Sequence, residues 1–371
     1  MHIVQVANFV TATSGGQRHA LNSLASEYIA MGHRCTIVFP GQQSRSSNDG
    51  SRDCIQVAGV LVPLSGGYRA ILAREELKKV LTDLQPDVVE LSDKTTLSWV
   101  PEFCRKMNVP CVLFSHERAA DVVSERLPRL LPVAPVFNAW GKRITENISA
   151  VICASDYASD EYRHIAHRVH KVQLGVDHSV FNASASRQGR TVTPTVMFAG
   201  RLSPEKRPYL VVAAARHLQL QGHKVKFVIA GDGPMRRHLE ATSDGLDVEF
   251  VGRVSDREAL AQMMASATVT VAPGPFETFG LSILESLACG TPVVVSDRGA
   301  GQELIEGGCG AVAAHDGAAI AAALLQLFDE DQIAMRIRCV ERASNLSWSK
   351  SAAKMLAIFG SLSDRSLAVA A

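Results

Sequence analysis

Residues 273–292 read PGPFETFGLSILESLACGTP, and the fold follows from this stretch. Glu277 and Glu285 lie eight positions apart, and Thr278-Phe279-Gly280-Leu281 follows the first of them. The run Leu281–Ala288 has helical periodicity, and Gly290 and Pro292 stop it. Glu277 is therefore expected in a loop that leads into a helix N-terminus. Gly280 lets the backbone come close to a bound group. Free N–H groups and the helix dipole at that end suit an anion or a ring of hydroxyls. Two carboxylates flanking such a site suit a polyol joined to a phosphate. Upstream, Thr268–Ala272 has a buried-strand pattern, and downstream Thr291–Ser296 reads as another. Strand, loop, helix and strand make one βαβ unit, which binds ligands at the carboxyl ends of its strands.

Working outward, the 371 residues suit two domains, and 47% hydrophobic content supports a sizeable core. A net charge of +1 argues against nucleic acid as the main partner. The eight cysteines form no Cys-x-x-Cys pair, which fits a reduced, cytoplasmic setting and disfavours a metal cluster. The opening MHIVQVANFV reads as a first strand rather than a leader, and no run of about 18 apolar residues suggests a span.

The first half alternates strands and helices. Strands are expected at His2–Val6, Cys35–Phe39, Asp87–Leu91, Pro110–Phe114 and Ala150–Cys153. Helices are expected at Gln17–Met31, Tyr68–Leu84, Thr95–Met107 and Phe137–Ile148, with residues 42–53 as a polar loop. The polar segment Phe181–Thr193 reads as a linker. A second series follows: Val196–Ala199, a helix Tyr209–Gln221, Val225–Ala230, a helix from Pro234, then Val248–Val251. Ser255 with Glu258 reads as a capping box. The tail Trp348–Phe359 reads as an amphipathic helix. The pattern predicts an α/β chain with parallel sheets, its domains at 1–185 and 191–345 and a C-terminal helix and tail at 346–371.

Glycine turns recur at the strand ends. Ser14-Gly15-Gly16 follows the first strand. In the second half come Ala199-Gly200-Arg201 running to Lys206, Ala230-Gly231-Asp232-Gly233, Val251-Gly252-Arg253, and the Glu277–Glu285 segment. Each alone reads equally well as a tight turn or a solvated pair. Four successive strand ends with such loops point to one ligand, with Arg201 and Lys206 as fixed positive charge beside a phosphate.

The segments AGRLSPEKRP, IAGDGP and PFETFGLSILESLACGTPVV, with Gly175-Val176-Asp177, resemble the family-4 retaining glycosyltransferases of the GT-B fold. The opening VQVANF…SGGQRHALNSL…GH…VFPG is similar to actinobacterial members, including phosphatidylinositol mannosyltransferases. The resemblance implies two Rossmann-like domains facing a central cleft, with the C-terminal helix crossing back to the N-terminal domain. It implies an acceptor-binding first domain and a nucleotide-sugar-binding second domain. Arg201 and Lys206 would hold the donor diphosphate. Glu277, with the Phe279, Gly280 and Leu281 backbone, would hold the donor sugar, and Glu285 the ribose. Gly15 and Gly16 would approach phosphate or acceptor, Gly231, Gly233 and Arg253 would line the donor site, and His116 would lie beside the transferred sugar. The reaction would move a hexose, with mannose from GDP-mannose favoured over UDP-sugars, to a lipid or glycan hydroxyl. No cofactor or metal would be required.

One departure concerns the acceptor side: Val89-Glu90-Leu91-Ser92-Asp93-Lys94 stands where relatives often have His-x-His-Glu. Asp329-Glu330-Asp331 reads as helix termini rather than a metal-binding string. A nucleotide-sugar epimerase and a non-catalytic nucleotide-sugar binder are competing readings. A dehydrogenase is disfavoured, because SGGQR lacks the Gly-x-Gly-x-x-Gly spacing. Finally, Arg74, Lys78 and Lys79 form a basic strip beside Leu72, Leu77 and Leu81. In the resembled mannosyltransferases a basic helix in this region contacts anionic lipid, which implies peripheral contact with the inner face of the plasma membrane.

Overall fold

The computed structural model describes residues 1–10, 15–48, 52–62, 67–118, 141–142, 144–185 and 193–370. The chain divides into two compact units. The first comprises Met1–Leu174 with the segment from Trp348 onward, and the second Gly175–Ser347.

In the first unit the strands are β1 (His2–Val6), β2 (Arg34–Gly41), β3 (Arg45–Asn48), β4 (Asp53–Ala58), β5 (Val60–Leu61), β6 (Arg69–Ala70), β7 (Val88–Leu91), β8 (Cys111–Ser115), β9 (Ala150–Cys153) and β10 (Val169–Lys171). Eight of them form one sheet in the order β10-β9-β8-β7-β1-β2-β4-β3. It is parallel apart from the β3 edge, which pairs antiparallel with β4. The strand order reverses between β1 and β7. Val4, Val6, Val38, Val89, Leu91 and Leu113 are fully buried or nearly so, as expected for strands covered on both faces. The helix Gly16–Ala30 packs on the C-terminal helix Trp348–Ala370, where Tyr28 meets Phe359 edge-on with ring centroids 6.0 Å apart. The Ser351 hydroxyl also donates to the Gln173 carbonyl at 2.7 Å. The C-terminal helix thus belongs to the first unit.

The second unit holds β11 (Thr195–Ala199), β12 (Lys226–Ala230), β13 (Val248–Gly252), β14 (Val269–Ala272), β15 (Val293–Ser296) and β16 (Gly310–Ala313). All pairs are parallel, in the order β13-β12-β11-β14-β15-β16. This is the doubly wound order of a nucleotide-binding sheet, with its switch point between β11 and β14.

Several boundaries differ from those read in the sequence. The polar stretch 42–53 contains β3 and the start of β4, held by the ladder Arg45↔Gln56 to Asn48↔Asp53. The helix expected from Tyr68 begins at Arg74, because Arg69–Ala70 pairs with Val60–Leu61 instead. The helix expected from Thr95 begins at Val100, with Pro101 in its first turn, where a missing N–H is harmless. Asp256, not Ser255, caps the helix Arg257–Ser266, accepting from the Glu258 and Ala259 amides. A carboxylate there also interacts favourably with the positive end of the helix dipole. Residues 137–140 and 143 of the helix expected at 137–148, and residues 186–192 of the linker expected at 181–193, lie outside the described residues.

Candidate active site

The centre of the site is the switch point of the second sheet. Past β11, Pro204–Lys206 forms one 3-10 turn, closed by Arg207 in the left-handed region at φ 49°. Past β14, the loop 273–280 runs to the helix Leu281–Ala288. Gly274 lets these loops touch: a Cβ there would lie 3.3 Å from the Glu205 carbonyl and 3.5 Å from the Lys206 Cα. Across this contact Lys206 Nζ donates to Glu277 Oε1 at 2.5 Å. The lysine side chain is 37% exposed and the glutamate side chain 18%. Burial lowers the Lys206 pKa, but the Glu277 carboxylate, by charge and hydrogen bond, together with Glu205, more than offsets it, against opposition from nearby Arg201. Lys206 therefore stays protonated. Arg201 itself is exposed at the end of β11. Arg201 and Lys206 thus set two cations beside the loop that carries Glu277.

The Glu277 backbone is clamped from β15. The Ala300 amide donates to the Glu277 carbonyl at 2.7 Å. Gly299, at φ 84°, presses against Pro275 and Glu277, and a Cβ there would approach the Pro275 carbonyl to 2.8 Å. Gly280 starts the helix in the left-handed region at φ 95°. Gly280, the N-cap, has no side chain with which to cap the first N–H groups of that helix. Phe279 turns its side chain into the core at 4% exposure, and Leu281 is half-buried, leaving their backbones to the loop.

Glu285 follows on the same helix, half-buried. Burial pushes its carboxyl up to about 7, opposed by the charge of Arg257. Arg257 lies over the Phe181 ring, 5.2 Å from its centroid, and reaches Asp177 at 3.4 Å. The Gly175-Val176-Asp177 segment therefore meets the electrostatic surroundings of Glu285 through Arg257.

Gly231 and Gly233 serve the scaffold. A Cβ on Gly231 would lie 1.8 Å from the Gly200 carbonyl oxygen, and one on Gly233 2.5 Å from that of Leu202. The Leu202 amide donates to the Asp232 carbonyl, and the Met235 amide to the Leu202 carbonyl. These glycines let the β12 loop lie directly on the loop that carries Arg201 and Lys206. Arg253 is exposed just past Gly252, whose carbonyl accepts from the Gly231 amide at 2.8 Å.

In the first unit, Gly15 and Gly16 begin the helix after β1, and His116 follows β8. A Cβ on Gly15 would meet nothing within 4 Å among the described residues. His116 Nε2 lies 3.3 Å from the Ser92 hydroxyl, and its ring packs on Phe114 at 4.4 Å. Burial pushes the imidazole down to about 4, so it is neutral at pH 7. Sequence reasoning did not identify Lys94 as a support for this turn. Lys94 Nζ donates to the Glu117 carbonyl at 2.8 Å, Glu161 Oε2 at 2.6 Å and Tyr162 Oη at 2.7 Å. Its three acceptors come from distant chain positions, so no local pattern marks it.

The basic strip is partly occupied. Lys78 pairs with Glu75 at 2.6 Å, and its Nζ lies 5.9 Å from the Trp99 ring centroid. The Arg74 guanidinium lies 5.8 Å from that centroid. Lys79 is exposed, as are the apolar side chains of Val60, Leu61 and Leu72.

Residues 14–180 match the family described as Glycosyltransferase Family 4, and residues 193–330 the family described as Glycosyl transferases group 1. The chain is 38% identical to a GDP-mannose-dependent alpha-(1-6)-phosphatidylinositol dimannoside mannosyltransferase of Mycobacterium tuberculosis, over 98% of this chain and 97% of that protein. It is 25% identical to a GDP-mannose-dependent alpha-mannosyltransferase of Corynebacterium glutamicum, over 83% of this chain and 75% of that one. Sucrose-phosphate synthase from Thermosynechococcus elongatus has the same fold, with a TM-score of 0.77, 21% identity and full coverage of both chains. The chain belongs to the family-4/group-1 glycosyltransferases and has their GT-B fold. No described helix is long and apolar enough to cross a membrane.

Proposed function

We propose that this chain transfers mannose from GDP-mannose, with retention of anomeric configuration, to a hydroxyl of a phosphatidylinositol-linked glycolipid. The observation that carries the reading is the Lys206–Glu277 pair at the β11/β14 switch point, which sets a cation and a carboxylate beside uncapped helix amides. The activity for which the mycobacterial relative is named, matched along almost its whole length, supports mannose and a glycolipid.

The residues divide the work by their chemistry. Glu277 accepts from the sugar hydroxyls, and Glu285 from the ribose hydroxyls. As the bond from the anomeric carbon to the β-phosphate oxygen breaks, the electron pair stays on the diphosphate. Arg201, Lys206 and the amides at residues 280–282 stabilise that charge. Two fixed cations make a divalent metal unnecessary. The acceptor oxygen bonds to the anomeric carbon on the face the phosphate leaves, and its proton passes to the departing oxygen. Neutral His116, beside Ser92, is a hydrogen-bonding group that the first unit offers to the acceptor. Val60, Leu61, Leu72, Arg74 and Lys79 suit peripheral contact with an anionic membrane at its cytoplasmic face.

The test is incubation with GDP-mannose and phosphatidylinositol mannosides, with and without EDTA, followed by NMR of the product linkage. An α-linked mannosyl lipid formed equally in both samples is expected. A β-linked product overturns retention, and activity that EDTA removes and Mg²⁺ or Mn²⁺ restores overturns metal independence.

A further inference from the structure

Ser296, His315 and Asp297 form a hydrogen-bonded row on the strand ends next to the Glu277 loop. His315 Nδ1 lies 2.8 Å from Asp297 Oδ1, and its Nε2 lies 3.4 Å from the Ser296 hydroxyl. With Nδ1 protonated, the ring donates to the carboxylate and accepts from the serine. These are the residue types of a hydrolytic triad, but the serine is no nucleophile. Ser296 is 4% exposed, and its Oγ already accepts from the Arg298 amide at 3.0 Å.

The row holds the turn that clamps Glu277. Asp297 also donates its amide to the Ala313 carbonyl at 2.9 Å, which ties residue 297 to the end of β16 through backbone and to the segment just past it through His315. Gly299 and Ala300 follow immediately and make the contacts to Pro275 and to the Glu277 backbone. His315 and Ser296 also share one small recess with Pro273, where the Glu277 loop begins. Every link from the imidazole to the catalytic carboxylate is therefore a direct contact or one turn of backbone.

We propose that His315 is a positioning residue for Glu277, acting through the 297–300 turn. The inference rests on the reading of Glu277 as the ligand of the donor sugar. Its effect then falls on the sugar and not on the nucleotide, since Glu285 and the cationic loop lie on other elements. Misplacement of a catalytic group by a fraction of an ångström costs about tenfold or more in rate.

The experiment compares wild type, His315→Phe, His315→Asn, Asp297→Ala and Glu277→Gln, by kcat/KM for GDP-mannose and by Kd for GDP. His315→Phe keeps a ring without its nitrogens, and Asn keeps a donor near the Nδ1 position. Asp297 is 44% exposed, so its alanine variant attacks the row from the surface. We expect kcat/KM to fall about tenfold in His315→Phe and Asp297→Ala and to recover in His315→Asn, with GDP Kd within about twofold throughout. Wild-type kcat/KM in both His315→Phe and Asp297→Ala overturns the inference. So does parallel weakening of GDP and GDP-mannose, which marks a general loss of structure. A Glu277→Gln enzyme as active as wild type overturns instead the reading of Glu277 on which the inference rests.

Discussion

Lys206 and Glu277 meet at 2.5 Å although 71 residues separate them in the chain. The contact forms where the second sheet reverses its winding, between the loops past β11 and β14. The pair joins the loop past β11 to the loop past β14 through one charge-assisted hydrogen bond.

Loss of one cation should slow chemistry more than it weakens folding. Lys206→Ala and Arg201→Ala should each cost about 2–4 kcal/mol in kcat/KM, the range for a lost charge-stabilising donor. Melting of Arg201→Ala should stay near wild type, because the side chain is exposed. Steady-state kinetics with matched thermal melts decide this. Unchanged kcat/KM in either variant assigns that residue to the surface.

The glycines should separate into two kinds. Gly231→Ala forces a Cβ against the Gly200 carbonyl and should destabilise the second unit by more than about 2 kcal/mol. Gly15→Ala meets no described atom and should leave melting unchanged while lowering turnover. Denaturant titration alongside an activity assay is the check. Equal loss of stability in both variants would remove any functional reading of Gly15.

Donor binding should depend on pH through Glu285. Its carboxyl titrates near 7, so acidification below that point neutralises the group that would accept from the ribose. The KM for the donor should therefore rise as pH falls from about 8 to 6, and Glu285→Gln should flatten the profile while raising KM throughout. His116 stays neutral over this range and contributes no acid limb. A wild-type KM that is flat across the interval contradicts the assignment.

Membrane contact is measured by co-sedimentation with anionic vesicles at low and high salt. Each basic side chain near such a surface adds about 1 kcal/mol, so wild type should sediment at low salt and be released at high salt. Arg74→Gln/Lys78→Gln/Lys79→Gln should bind weakly. Arg74 and Lys78 also rest on Trp99, so part of the strip serves packing. Equal binding by the triple variant rules this helix out.

Much of this was legible in the sequence because the signals are local. The strand–loop–helix run around Glu277 has a clear period change and a glycine start, and the helix Leu281–Ala288 forms where that pattern places it. What was not legible depends on contacts far along the chain. The packing of Gly231 on the Gly200 carbonyl, which no local pattern shows, is a second reason for glycine there. Lys94 looks like one more surface lysine until Glu117, Glu161 and Tyr162 close around it. Residues 42–53 are polar because β3 is an exposed edge strand, and polarity alone reads as loop. Arg257 carries no motif, yet it bridges Asp177 and Phe181 and biases Glu285.

The most direct test of the account is turnover of GDP-mannose by wild type and Glu277→Gln, followed as GDP release with a phosphatidylinositol mannoside acceptor and compared with UDP-glucose. The account predicts GDP-mannose turnover by wild type, little with UDP-glucose, and a loss of at least about a hundredfold in Glu277→Gln with melting preserved. Turnover of UDP-glucose in preference to GDP-mannose, or a folded Glu277→Gln enzyme with wild-type activity, would contradict it.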